Sequence, residues 1–214
     1  MRSLPLIVLY SLELSGLLWA QHGDFYTRNQ VIDSLMKEVE SPQQMQVVID
    51  FLHAEPGELV GYPLLFPIDG RTCSYRISSG FGTRWHPIYG GTRLHTGVDI
   101  AVALATPVYA AGDGTVIRAG YNSGYGWIVK IRHKGGFVTR YAHLDKLWLS
   151  AGDDVSIGEH LDNVGRSGSA TGYHLHFEVR KNGRSCPPDT IPYLNSIITQ
   201  RIKGIISLCF TTQL

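Results

Sequence analysis

The chain has 214 residues, a formal net charge of +1 and 43% hydrophobic residues. That length suits one well-buried domain with a small appendage, and the near-neutral balance argues against a nucleic-acid partner. Glycine is the compositional outlier at 24 residues. Its concentration between Gly80 and Gly183, among Val, Ile, Tyr and Thr, signals short strands joined by tight turns.

Residues 1–20 read as an export signal, with Arg2 as the early positive charge and Leu4 to Leu12 as the apolar core. Leu18 is bulky for the minus-three position of a cleavage after Ala20, and Glu13 interrupts the apolar run. A buried N-terminal helix is therefore the alternative. The stretch is too broken for a membrane span. Export would place the protein in the cell envelope, either periplasmic or extracellular.

Residues 21–62 form a helical N-terminal region. Between Asn29 and His53, Ile32, Leu35, Met36 and Val39 share one face, and Val47, Val48, Phe51 and Leu52 share another, with Ser41-Pro42 separating the two stretches. A spacer or packing arm is the simpler role, and a dimerisation element is the alternative. Residues 63–190 form the main domain. Val108 to Ala111, Gly114 to Ala119, Trp127 to His133, Phe137 to His143 and His174 to Arg180 carry strand-favouring residues. They are punctuated by Gly112-Asp113-Gly114, Lys134-Gly135-Gly136 and Lys181-Asn182-Gly183. No helix-length amphipathic stretch interrupts them, so βαβ crossovers are excluded in favour of an antiparallel sheet or flattened barrel. Residues 191–214 form a helix-like tail in which Ile198, Ile202, Ile205 and Ile206 are helically spaced. Docking on the domain is the expected role, and contact with a membrane surface through Arg201 and Lys203 is the alternative. The fold class is thus mainly β, with a short helical segment before it and a helix-like tail after it.

Cys73, Cys186 and Cys209 have no metal-binding spacing. In an exported protein Cys73 could bridge to Cys186. Three unpaired thiols are the alternative.

The chemistry lies in three segments. His174 and His176 sit two apart on a predicted strand, so they share a face with Glu178 while Leu175, Phe177 and Val179 face a core. His95 and Asp99 are four apart around Gly97, which suggests a loop entering a strand. His143 shares strand parity with Phe137, Thr139 and Tyr141. These residues supply two imidazoles and a carboxylate for one zinc ion with an open position, and leave two imidazoles for proton transfer. There is no HExxH, so any base comes from a spare histidine rather than a helical glutamate. His22, His53, His133 and His160 read as ordinary polar histidines.

The run His95-Thr96-Gly97-Val98-Asp99, then Tyr141-Ala142-His143, then His174-Leu175-His176-Phe177-Glu178 resembles the lysostaphin/LytM-type zinc endopeptidases. The likeness continues through Ser79-Gly80-Phe81-Gly82-Thr83-Arg84, His86-Pro87, Thr106-Pro107-Val108 and Gly165-Arg166-Ser167-Gly168, from about Ile77 to Pro188. The resemblance implies zinc on His95, Asp99 and His176, with catalytic roles for His143 and His174. It implies a hydrolase that cuts peptide bonds of bacterial peptidoglycan, in stems or cross-bridges. A latent or non-catalytic regulator of other wall hydrolases is the alternative. Two positions depart from the pattern: Ala105, where glycine is usual, and Trp127, where asparagine is common and which could reshape a substrate groove.

Overall fold

The computed structural model describes residues 17–19, 25–40, 42–52, 54, 56–85 and 90–188. Most of the expected export signal, His22, His53, His86, Pro87, Cys209 and the C-terminal tail lie outside the described residues. Leu17–Trp19 (β1) pairs antiparallel with Phe25–Thr27 (β2).

Thr27 then starts helix α1, Arg28–Glu38, with a reciprocal cap. The Gln30 backbone N–H donates to Thr27 Oγ1 at 3.3 Å, and the Thr27 N–H donates to Gln30 Oε1 at 2.7 Å. This pairing satisfies two donors that a helix start leaves free. Helix α2, Pro42–Leu52, opens on a proline whose missing N–H is harmless in the first turn. The buried face of α2 differs from the sequence expectation. Met45, Val48, Ile49 and Leu52 are buried, whereas Val47 and Phe51 are 63% and 46% exposed. Met45 sets the stripe at i, i+3, i+4 and i+7, rotating it away from Val47.

The helices are tied to the back of the main domain. Buried Lys181 donates from Nζ to the carbonyls of Met36 and Lys37 at 2.9 and 3.0 Å, capping the last turn of α1. The Cys186 thiol donates to Glu40 O at 3.1 Å, and the Tyr62 hydroxyl donates to Asp33 at 2.8 Å. Cys73 and Cys186 are both free thiols, so the bridge considered from the sequence is not formed.

The strands that follow are β3 Arg76–Ser79, β4 Gly82–Trp85, β5 Thr92–His95, β6 Val98–Ala101, β7 Pro107–Tyr109, β8 Gly114–Asn122, β9 Gly126–Arg132, β10 Phe137–Leu144, β11 Asp154–Val155, β12 His160–Asn163, β13 His174–Lys181 and β14 Arg184–Cys186. The main sheet runs β11-β8-β9-β10-β13-β6-β3, with β14 pairing the far half of β13 where β6 stops. All pairings in it are antiparallel, and the sheet is open rather than closed into a barrel. Two small two-stranded sheets, the β4-β5 hairpin and the long-range pair β7-β12, complete the domain.

One face of the main sheet is the core. Ile100, Val129, Ile131, Tyr141, Leu175, Phe177 and Val179 are fully buried there, under Tyr62, Leu64, Phe66 and Ile68 and the β7-β12 pair. His133 belongs to this interior and is not an ordinary polar histidine. Its Nδ1 donates to Asp113 O at 2.8 Å, and Nε2 lies 2.8 Å from Thr139 Oγ1. The other face carries the site.

Two predictions follow from the packing. Burial pushes the His133 pKa down to about 4, against about 6.5 in the unfolded chain. A depressed histidine contributes fully above the unfolded value, and that stability is lost as pH falls from 6.5 towards 4. Urea unfolding should show roughly 3 kcal/mol of loss from this group over that window, with a shallower dependence in His133→Asn. Separately, Ala105 holds a left-handed φ of 62°, which explains a glycine preference there. Ala105→Gly should raise unfolding free energy by about 0.5–1 kcal/mol.

Candidate metal centre and cleft

The site is built where three strands bring short segments together. β13 presents His174, His176 and Glu178 away from the core, as the alternation of the sequence requires, while Leu175, Phe177 and Val179 point inward with no exposure. β6 lies beside it with Asp99 directly opposite His176. The chain reaches β6 from the β4-β5 hairpin through Thr96 and Gly97. Gly97 is required because a Cβ there would collide with the Phe177 carbonyl and Glu178. This close approach sets His95 next to Asp99.

His143 reaches the same cleft by a different route from the one its parity suggests. Phe137, Thr139 and Tyr141 point into the core, and Arg140 and Ala142 lie opposite Glu178 and His176. Regular pairing would bury His143 beside Tyr141. Instead β10 changes register between Tyr141 and Leu144, and His143 takes a left-handed φ of 60°. The bulge turns its ring to the site face. Its ring centroid lies 4.7 Å from His174 and 6.0 Å from His176.

Each of the four imidazoles has one nitrogen tied outward. His95 Nδ1 donates to Gly80 O at 2.7 Å, His143 Nδ1 to Ser167 O at 2.8 Å, and His174 Nδ1 to Gly172 O at 2.9 Å. His176 Nε2 donates to Glu178 Oε1 at 3.2 Å. These partners fix the tautomers, so the remaining nitrogen of each ring carries a lone pair. His95 Nε2, His176 Nδ1 and Asp99 Oδ1 converge, with separations of 3.1, 3.1 and 2.8 Å. Three lone pairs so close repel unless a cation or shared protons lie between them. The edge of a tetrahedral zinc site is about 3.3 Å, so the donor set fits that ion in number, type and spacing. His174 Nε2 is 3.8 Å from the same Asp99 oxygen.

Electrostatics follow the geometry. Burial raises the Asp99 pKa, but the His176 and His95 imidazoles beside it outweigh this and hold the carboxyl well below its usual range. Burial disfavours protonated His176, yet Asp99 and Glu178 raise its pKa overall. Burial, aided by His174, pushes His143 down to about 4, so it is neutral at pH 7. Glu178 has no side-chain exposure and is saturated with donors. Its Oε1 accepts from the Thr96 and Tyr125 hydroxyls at 2.7 and 2.8 Å, and its Oε2 accepts from Arg140 at 3.1 Å. Burial alone would raise this carboxyl, but His176, Thr96 and Arg140 bring it down to about 2.

The donors open onto a cleft of about 460 Å³ bordered by Ser79, Arg84, Arg93, Leu94, Asn122 and Tyr125. Among the described residues, none of α1 or α2 lines it. Trp127 packs edge-on against Tyr121 with centroids 5.2 Å apart and does not line the cleft either. Sequence reasoning gave no role to Glu178, Thr96, Tyr125, Arg84 or Arg140. The Glu178 position was visible from strand alternation, and an arginine directly opposite on β10 was the available signal. The carbonyls of Gly80, Ser167 and Gly172 leave no trace in residue type.

An antiparallel sheet thus bears a His-Asp-His set that offers a metal ion three ligand atoms, with two further imidazoles beside it. Residues 93–188 match the model of peptidase family M23. The DD-carboxypeptidase/endopeptidase Mpg of Neisseria meningitidis is 44% identical over 129 residues, covering 60% of this chain and 30% of that protein. The peptidoglycan DD-endopeptidase ShyC of Vibrio cholerae is 38% identical over 126 residues, covering 58% of this chain and 28% of the relative. The chain therefore spans less than a third of the length of these curated relatives. A zinc-containing peptidase from Vibrio cholerae superposes with a TM-score of 0.56 at 30% identity, over 80% of this chain and 44% of that one.

Proposed function

We propose that the protein is a zinc-dependent endopeptidase that hydrolyses peptide bonds of bacterial peptidoglycan in the cell envelope. The observation that carries this reading is the convergence of four imidazole lone pairs and one carboxylate on a single cleft, with every outer ring nitrogen occupied. His95, Asp99 and His176 would hold the zinc ion. The ion would supply a Lewis acid for the scissile carbonyl. His143 and His174 stand beside that position with Nε2 unprotonated. The Nε2 lone pair of one takes the proton of the attacking water as its oxygen bonds to the carbonyl carbon. That nitrogen then gives the proton to the departing amine as the C–N bond breaks. The backbone acceptors on Nδ1 keep both rings aimed inward throughout. The relatives' names support the substrate class, and the intact donor set favours an enzyme over the latent regulator.

Digestion of purified sacculi by the zinc-loaded protein should release new peptide termini detectable by mass, and chelation should abolish them. His143→Ala should retain zinc and lose turnover by about 100-fold or more. His176→Ala should lose zinc, as read by competition with a chromogenic chelator. Equal zinc loss in both variants overturns the ligand assignment. Because burial holds the His143 pKa near 4, its neutral form persists below the ordinary histidine value. The acid limb of kcat/KM assigned to this base should therefore fall below pH 6.5. A limb at 6.5 or above that disappears in His143→Ala overturns the assignment.

A further inference from the structure

Beside the donor set, the main sheet carries cations on the face that it shares with the cleft. Residues opposed across an antiparallel pair project to the same side. Glu178, on the same face of β13 as His176, stands opposite Arg140, Arg140 opposite Lys130, and Lys130 opposite Arg118. Two residues further along the strands, Arg132 and Arg180 flank Val138. Five cations thus occupy two adjacent rows. The nearer row lies about 7 Å along β13 from His176, at the usual rise of a strand. The acids in these rows are Glu178 and Asp154. Glu178 is sealed and takes Arg140 and Arg180. Asp154, at the β11 edge opposite Thr115, accepts from the Thr115 hydroxyl at 2.8 Å. Among the described residues, Arg118, Lys130 and Arg132 make no ion pair. Like charges set directly opposite on a sheet are unfavourable. The repulsion is felt at Lys130, whose pKa is lowered by burial and then by Arg140 and Arg118. Arg118 and Arg132 are exposed, and none of the five cations borders the cleft.

We propose that these rows are a docking surface for the acidic stem peptides of the wall polymer, outside the cleft and on the sheet face that carries the donor set. The inference rests on the peptidase reading, because a polymeric substrate is what brings further carboxylates to that face. A peptide held at the donor set belongs to a network, and its neighbours lie against the surface around the cleft. Carboxylates on those neighbours would meet the cations and relieve their mutual repulsion. Strands spaced about 4.8 Å apart set Arg118, Lys130 and Arg140 in a line, which suits several carboxylates of an extended polymer better than one small anion. Docking there lengthens the stay of the protein on its polymer without entering the chemistry, by adding weak contacts to the one in the cleft. A membrane surface fits less well. Val138 is the one apolar residue of the two rows and is half-buried, so nothing apolar stands ready to enter a bilayer.

The test is co-sedimentation of the zinc-loaded full chain with purified sacculi, either native or with their carboxyls amidated. The chain carries His143→Ala so that the sacculi stay intact, and peptide release is measured in parallel with His143 in place. Native sacculi should bind about 10-fold more tightly than amidated ones at low ionic strength. The difference should vanish near 1 M salt, where screening acts within about 3 Å. Arg118→Gln/Arg132→Gln should weaken binding to native sacculi about 5- to 10-fold, and Arg118→Lys/Arg132→Lys should retain most of it. Lys37→Gln/Lys146→Gln, which removes the same charge elsewhere, should leave binding intact. Zinc content and near-ultraviolet circular dichroism check that each variant is folded. Equal binding of native and amidated sacculi, no loss in Arg118→Gln/Arg132→Gln, or an equal loss in the two charge-removing pairs overturns the proposal. So does binding to vesicles of phosphatidylglycerol and phosphatidylcholine that depends on Arg118 and Arg132 while capture of sacculi does not, which would assign the surface to a membrane. Capture of sacculi that depends on their carboxylates and on Arg118 and Arg132, with no peptides released when His143 is in place, would sustain the surface and overturn the peptidase reading instead.

Discussion

Glu178 is the point on which the site's order depends. A carboxylate with no exposure is costly unless every lone pair is used, and here each is. His176 sits on the same strand, Thr96 on the turn into β6, Tyr125 on the loop before β9, and Arg140 on the neighbouring strand β10. Four separate stretches of chain are therefore drawn to one buried charge. The consequence reaches the donor set directly, since the contact with His176 Nε2 leaves Nδ1 free to face Asp99 and His95. Loss of any one donor would leave part of a sealed charge unpaired, which is a stronger restraint than the pairwise contacts suggest. The proposed ligand His176 is oriented by a buried network that reaches into the cleft's own wall at Thr96 and Tyr125.

Legibility in the sequence tracked how local the governing constraint was. The β13 alternation was readable because both of its faces are specified, aliphatic and aromatic on one and ionisable on the other. The strands flanking Gly112, Gly135 and Gly183 were readable for the same reason, with errors of one to three residues at their ends. His143 shows the limit. Parity placed it with Phe137, Thr139 and Tyr141, which are core residues, and only the bulge before Leu144 delivers it to the cleft. Nothing in Tyr-Ala-His-Leu specifies that extra residue. The α2 face was misread because Met45 and Ile49, rather than Val47 and Phe51, meet the partner surface. That choice is made by the tertiary contact and not by periodicity. His133 reads as an ordinary polar residue because its buried partners, the Asp113 carbonyl and the Thr139 hydroxyl, are brought to it by strand pairing and packing.

The N-terminal region is connected to the domain through a small number of polar contacts at an otherwise apolar seam. Lys181 is the chief of these: it lies at the far end of the strand that carries His174 and His176. Its Nζ meets the terminal carbonyls of α1, where a cation also complements the helix dipole. One strand thus carries proposed site residues at one end and the tether for the helices at the other. The helices buttress the sheet from behind and leave the cleft face open along the described chain.

The bulge in β10 gives the fold an unusual relationship to its own chemistry. From Val138 to Tyr141 the pairing of β10 with both neighbouring strands is regular. Deleting Ala142 would restore a regular ladder yet put the imidazole directly after Tyr141, still on the site face but displaced along the strand. The extra residue therefore sets how far along β10 the imidazole stands as well as the side it occupies. A change of one residue in the length of this strand re-spaces the side chains of the cleft while the architecture of the sheet is kept.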